Sequence, residues 1–438
     1  MEHSKSSDAR SCAANLVHDV LHRRRPFDEA LSDRPDLNAL EPRDRAFARL
    51  IAATVLRRLG QIDAVIAHCL DRPLPDKAAR GNDILRTGMA QILFMDTPPH
   101  AAVDRTVAQF AGRSLTPFRK LANAVMRRAA REGAVLIAEQ DSARLNTPDW
   151  LWRSWREAFG EETCRRIAES HAGEPMLDIT VKDDAAVWAG KLAADILPTG
   201  TLRRETGGLV RDLAGFADGA WWVQDAAAAL PAKLLIGALG DNSGAMNIAD
   251  LCAAPGGKTA QLAAAGMNVT AVDRSPARMK RLAENLDRLG LHAEMIETPV
   301  EDWRPPDPFD AILLDAPCTA TGTIRRHPDI AWLKSADDVG RMANIQSRLL
   351  AAAGELVKPG GILVYSVCSM QPDEGPARIK AFLDDGAPFE RIAVAPDEIG
   401  GLAHAVTTEG DLLTLPCHFS DKGGIDGFFA ARLRRSVA

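Results

Sequence analysis

The sequence predicts a chain in three parts: an all-helical front over 1–140, a small α+β connector over 145–235, and an α/β domain over 236–438. Three observations predict it. Apolar residues recur at helical spacings through the front third, with no strand signal between them. Short alternating segments such as "MLDITVK" follow, beside a tryptophan-rich stretch. From about residue 245, short apolar runs alternate with amphipathic helical stretches, the pattern of a parallel sheet covered by helices on both faces.

In "RDRAFARLIAATVLRRLGQIDAVIAHCL", residues Phe47, Leu50, Ile51, Val55, Leu59, Ile62 and Ile66 share one face of a helix, or of two helices broken near Gly60. "GNDILRTGMAQILFM" repeats that pattern, with Asn82 or Asp83 expected as its cap. "TPFRKLANAVMRRAARE" is a further helix, expected to be capped by Thr116 with Pro117 in its first turn. "DSARLNTPDW" reads as the connector into the second region. There Trp150, Trp152 and Trp155 cluster, and they are read as hydrophobic packing rather than as a base-stacking platform.

A length of 438 residues, with 46% hydrophobic and 26% charged content, describes an ordinary globular chain with room for two or three cores. No apolar run approaches the length of a bilayer span, so no membrane partner is expected. The start, "MEHSKSSDARSCAANLVHDV", lacks a secretory pattern, and a cytoplasmic location is expected. Seven scattered cysteines without a CxxC pair argue against a disulfide framework and against a zinc site; no metal is expected. The net charge of −6 argues against a polyanionic partner, but its distribution does not. Residues 1–140 carry 22 Lys and Arg against 17 Asp and Glu, and the rest of the chain is acidic. A basic front on an acidic body is compatible with a nucleic-acid-handling arm.

In the last part, "MNIADLCA", "MNVTAVDRS", "FDAILLDAP" and "GGILVYSVCS" are the expected strands, with "GGIDGFFAARLRR" as a final edge strand. Ligands on such sheets bind at the carboxyl ends of the strands. "NIADLCAAPGGKTAQLAA" is strand, tight loop and helix: two glycines after a proline let backbone approach a ligand, and the helix start near Thr259 offers free amides. A Walker A loop needs glycine where this chain has Cys252, and the fingerprint GxGxxG is absent. What remains is Asp250 at one strand end and Asp273 at the next, the second placed to accept from two ribose hydroxyls. That set fits a nucleoside cofactor without a pyrophosphate, S-adenosylmethionine.

Asp315, Pro317 and Cys318 should emerge on the same rim as Cys368, at the ends of neighbouring strands. A carboxylate and two thiols facing a sulfonium cofactor suit one chemistry. The C5 carbon of cytosine is a poor nucleophile. A thiolate adding to C6 pushes electron density onto C5, and a second thiol can assist release of the product. Asp315 can bind the exocyclic amine and N3 of the base, with Pro317 holding it rigid. Spacing leaves open which thiol attacks.

"DLCAAPGGKT", "VDRS", "DAPCTATGTIRRHPDIAW", "VYSVCS" and "DGFF" resemble the motifs of the Nop/Sun (Fmu) RNA cytosine-5 methyltransferases. The resemblance runs through 220–438, entered by "WWVQDAAAAL", and implies a Rossmann-like class I methyltransferase fold. The front, through "LANAVMRRAA", is similar to the NusB fold. That fusion is the arrangement of the bacterial type acting on 16S rRNA, so an RNA-methylating monomer is expected. The same chemistry on tRNA or 23S rRNA, or an inactive RNA-binding assembly factor, are the alternatives; intact Asp315, Cys318 and Cys368 speak against the last, and the lack of a target-recognition insert speaks against a DNA methyltransferase. The resemblance implies that Cys368 attacks and Cys318 serves release. It implies that Cys252, Ala253, Ala254, Pro255, Gly256, Gly257 and Lys258 line the cofactor, with Asp273 and Arg274 beyond them and Asp315 beside it. It implies that Arg325, Arg326 and His327 approach the RNA with Pro317. Three positions depart from the family: Val367 replaces the usual threonine, Pro299 stands where an acid near the adenine is usual (leaving Glu297 or backbone to replace it), and Glu374–Gly375 replaces Glu-Asn.

Overall fold

A computed structural model describes residues 8–75, 78–240 and 246–437; the first residues of the stretch read against a secretory leader lie outside the described residues. The chain forms two compact units. The first runs to Ala172 and takes in Arg326–Ser335; the second comprises Gly173–Arg325 and Ala336–Ala438.

The first unit is helical. Its helices include Ala9–Leu21, Pro42–Arg57, Leu59–Cys69, Ala79–Phe94, Pro99–Ala108 and Arg119–Ala138. The periodic apolar residues meet in one core, where Leu16, Val17, Ile51, Val55, Ile62, Met89 and Met126 are buried. Leu50 is an exception and stays exposed. The expected break falls at Arg58, which closes one helix and opens the next. Two expected caps are corrected. Asp83 lies inside its helix, fully buried, where it accepts from His18, His22 and Arg86. Thr116 opens a separate 3-10 turn, and the long helix begins at Arg119.

Helices Asp149–Phe159 and Glu161–Ser170 also belong to the first unit, so the connector expected over 145–235 is divided at Ala172. Trp152 and Trp155 are buried, as packing residues are. The segment Arg326–Ser335 is tied into the same unit. Arg24 donates to the carbonyls of Trp332 and Leu333, Asp329 accepts the Phe27 amide at 2.9 Å, and the Trp332 indole donates to the Leu56 carbonyl at 2.8 Å.

The second unit opens with a four-stranded antiparallel sheet of β1 (Leu177–Val181), β2 (Asp195–Ile196), β3 (Leu202–Arg204) and β4 (Trp221–Val223), in the order β2-β3-β1-β4. A larger sheet follows from β5 (Asn247–Leu251), β6 (Asn268–Asp273), β7 (Glu294–Glu297), β8 (Phe309–Asp315), β9 (Val357–Val367), β10 (Phe389–Arg391), β11 (Leu412–Thr414) and β12 (Phe428–Arg435). Its order is β10-β12-β9-β8-β5-β6-β7, with β11 also on β12. Strands β5 to β9 run parallel, as expected of βαβ units. The last strand corrects the expectation of an edge: β12 lies antiparallel to β9 and is covered by β10 and β11. Its run of buried side chains, Phe428 to Leu433, is that of an interior strand.

Alternation along β8 sends Ala311 and Leu313 to one face and Ile312 and Leu314 to the other. Helix Ala336–Glu355 covers one face through Leu349 and Leu350, and helix Ala226–Leu239 the other through Leu235. No described helix is long and apolar enough to cross a membrane.

Candidate active site

The loop after β5 is held by backbone bonds. The Ala253 amide donates to the Val272 carbonyl at 3.1 Å and the Ala254 amide to Asp273 at 3.3 Å, before a cis peptide at Ala254–Pro255. Cys252 has φ 59, and Gly256 has φ 100, where a side chain would also meet Leu282 at 2.9 Å. Glycine is what this backbone requires. Helix Gly257–Ala264 follows, and its N-cap Gly256 offers no side chain to bond its first amides. Asp273 is buried, accepting the Ser275 amide at 2.9 Å with Arg278 3.5 Å away; Arg274 is exposed.

Asp250 is fully buried under this loop. Its Oδ2 accepts from Thr259 at 2.6 Å, and its Oδ1 has no partner among the described residues. Burial pushes its carboxyl up to about 7, against the opposing Thr259 bond. Burial also raises the Cys252 thiol, which fits backbone lining rather than a reactive group. An unsatisfied buried carboxylate oxygen, a glycine-lined loop and a helix start suit a ligand that brings a cation and ribose hydroxyls. The residues expected to hold S-adenosylmethionine are therefore compatible with it.

The two thiol loops leave adjacent strands. Strand register pairs Asp315 with Ser366, so the residues beyond them emerge side by side. Cys318 Sγ and Cys368 Sγ stand 3.4 Å apart, both half-buried, and neither is in a disulfide. The Gly322 amide donates to the Cys368 carbonyl at 3.1 Å, and the Gly427 amide donates to the Gly322 carbonyl at 2.8 Å. The "TATG", "VCS" and "DGFF" segments thus meet at one point. The neighbouring Cys368 sulfur, then burial, hold the Cys318 thiol well above its ordinary range. A thiol in that state keeps its proton.

Asp315 is gripped from both sides: Lys258 Nζ donates to Oδ2 at 2.7 Å and Ser366 Oγ to Oδ1 at 3.0 Å. Lys258 also lies over the Phe428 ring at 4.9 Å. The cofactor loop and the thiol rim are therefore one site. Pro317 is half-buried, and its carbonyl accepts from Gln346 at 2.9 Å. Glu297 ends β7 in register with Asp273, and Pro299 is exposed just beyond it.

Arg325 is the clear correction. Its guanidinium is buried, 2.7 Å from Asp225 and 3.4 Å from Asp426, so it braces the second unit and is not presented at the surface. Arg326 and His327 are half-buried in the first unit, where His327 lies 3.3 Å from Asp28. The sequence reading also missed Ser366, Gln346 and the links made by Glu374. Only Glu374 carried a signal, as half of a departing motif.

The family model 16S rRNA methyltransferase RsmB/F matches residues 239–434, and the NusB family model matches 7–131. The chain is similar to the Ribosomal RNA small subunit methyltransferase B of Vibrio cholerae, 34% identical over 92% of this chain and 98% of that one. It is likewise similar to that of Pseudomonas putida, 35% identical over 98% and 99%. Among solved structures, PH0851 superposes with a TM-score of 0.72 over 98% of this chain and 99% of that one, at 22% identity. A methyltransferase homolog from Pyrococcus horikoshii superposes with a TM-score of 0.53, at 26% identity, over 65% and 93%.

Proposed function

The chain belongs to the 16S rRNA methyltransferase RsmB/F family, and on that premise we propose that it methylates C5 of a cytosine in 16S rRNA through a covalent cysteine–C6 adduct. One observation carries the reading: two free thiols 3.4 Å apart beside an aspartate that a cofactor-loop lysine grips at 2.7 Å. N- and O-methyl transfer needs no thiol, let alone two.

S-adenosylmethionine, when bound, supplies the electrophilic methyl group. Residues Cys252 to Lys258 hold it through backbone, and Asp273 takes its ribose. The buried Asp250 carboxyl, with one oxygen unsatisfied beneath the loop, would favour a cationic group bound there. Asp315, oriented by Lys258 and Ser366, accepts from the exocyclic amine of cytosine and so disfavours uracil, which has none. Cys368 adds as thiolate to C6: an S–C6 bond forms and the C5–C6 double-bond electrons move to C5. After methylation the C5 proton passes to solvent, its C–H electron pair restores the C5–C6 double bond, and the S–C6 bond breaks with its pair returning to the Cys368 sulfur. Cys318, which holds its proton beside the departing sulfur, serves that release. A ribosomal RNA substrate supports a cytoplasmic location for this reaction.

RNA carrying 5-fluorocytosine at the target has no C5 proton to lose, so the adduct should survive denaturing gels. Cys368→Ala should abolish it, and an adduct persisting in that variant would sink the assignment. Cys318→Ala should accumulate covalent protein–RNA complex on unmodified RNA. Bisulfite sequencing of 16S rRNA from a deletion strain should show one lost 5-methylcytosine, restored by the wild-type chain.

A further inference from the structure

We propose that Glu374 is a positioning residue that holds the two thiol loops at one separation, so that Cys368 can attack and Cys318 can release at the same base. This rests on the covalent reading above. Glu374 is fully buried. Its Oε1 accepts the Thr319 amide at 2.8 Å and Gln346 Nε2 at 3.2 Å; its Oε2 accepts the hydroxyls of Thr319 and Ser369. Four donors fill the acceptor positions of one carboxylate.

The identity of those donors carries the inference. Thr319 follows Cys318 in the chain, and Ser369 follows Cys368. Gln346 also donates to the carbonyl of Pro317, which precedes Cys318. One carboxylate thus bonds the residue next to each thiol and, through one amide, the residue on the other side of Cys318. Glu374 is itself anchored: its carbonyl accepts from Tyr365 of β9 at 2.6 Å, and its amide donates to the Gln371 carbonyl at 3.0 Å. Burial raises its carboxyl above the ordinary range, with the Ser369 and Thr319 bonds opposing. Burying such a group is costly where an apolar residue would fill the same volume. What it provides in return is a fixed register between two loops that leave different strands.

The test compares Glu374→Ala with Glu374→Gln. In the glutamine variant the Thr319 and Ser369 hydroxyls can rotate to accept from the new amide, so the link persists. Three readouts are taken: kcat on 16S rRNA, S-adenosylmethionine affinity by calorimetry, and the rate at which diamide oxidises Cys318 and Cys368 to a disulfide. The last reports thiol register without any methyl transfer. Glu374→Ala should lower kcat roughly hundredfold and slow disulfide formation at least about tenfold, with affinity for the cofactor kept; Glu374→Gln should stay within about tenfold of wild type. Wild-type kcat and oxidation rate in Glu374→Ala overturn the proposal, as does an equal loss in both variants with an unchanged oxidation rate. Should Glu374→Ala fail to fold, Thr319→Val keeps the amide bond and removes one hydroxyl link; it should still slow oxidation, and a wild-type rate there overturns the proposal. If wild type forms no 5-fluorocytosine adduct while oxidation slows in Glu374→Ala, the covalent reading fails and the register role stands.

Discussion

Gly322→Ala tests whether the meeting of three loops sets the chemistry. Gly322 has no positive φ, so alanine is conformationally allowed there; only space forbids it. A Cβ at this position would stand 1.8 Å from the Gly427 carbonyl oxygen, where ordinary contact begins at 3.4 Å. One loop must therefore retreat by about 1.6 Å. That retreat breaks the bonds from Gly322 to the Cys368 carbonyl and from Gly427 to the Gly322 carbonyl. Two net hydrogen bonds at about 1 kcal/mol each, plus about 1 kcal/mol or more of overpacking, give a loss of about 3 kcal/mol. Because a displacement of about 1 Å between reacting groups costs on the order of a hundredfold in rate, adduct formation should fall by at least that much. Urea denaturation measures the first effect, and the rate of 5-fluorocytosine adduct formation the second. Gly340 is the control: it is exposed in helix Ala336–Glu355 with open space around it. Gly340→Ala should add about 0.5–1 kcal/mol and leave the adduct rate alone. A Gly322→Ala variant with wild-type stability and adduct rate would refute the reasoning.

Arg325→Met leaves Asp225 and Asp426 buried without their shared cation, which should cost about 3–5 kcal/mol in denaturant unfolding. Adding Asp225→Asn should recover part of that loss, while the folded protein keeps wild-type RNA affinity. Weaker RNA binding at unchanged stability would instead return Arg325 to the RNA surface. Asp250 supplies a pH dependence: its folded carboxyl titrates at about 7, above its ordinary value. Folding therefore binds a proton, so its contribution is present below about pH 4 and lost as pH rises through about 7. Asp250→Asn should flatten the fall in stability of the ligand-free protein across that window, by roughly 4 kcal/mol at most. An unchanged slope would mean the group ionises normally.

Local sequence carries the parts that depend on neighbours in the chain. Helical spacing marked the front unit, and apolar runs marked β5, β6, β8 and β9. The glycines of "APGGKT" and the cysteines at 318 and 368 stand at strand ends, where one-dimensional pattern can place them. Pattern fails where the partner is distant. Arg325 reads as a basic residue in a loop, yet its meaning depends on carboxylates about 100 positions away. Asp83 reads as a cap until His18 and His22 close over it. The last strand reads as an edge because its terminal position says nothing of β10 and β11 folding back across it. The hold on Asp315 by Lys258 spans 57 residues, and that of Glu374 on Thr319 spans 55. Residue types and their spacing announced two thiols and a carboxylate. Their separation, the raised Cys318 thiol and the groups that brace them arise only when the sheet brings those strand ends together, because hydrogen bonds and desolvation act through space and not along the chain.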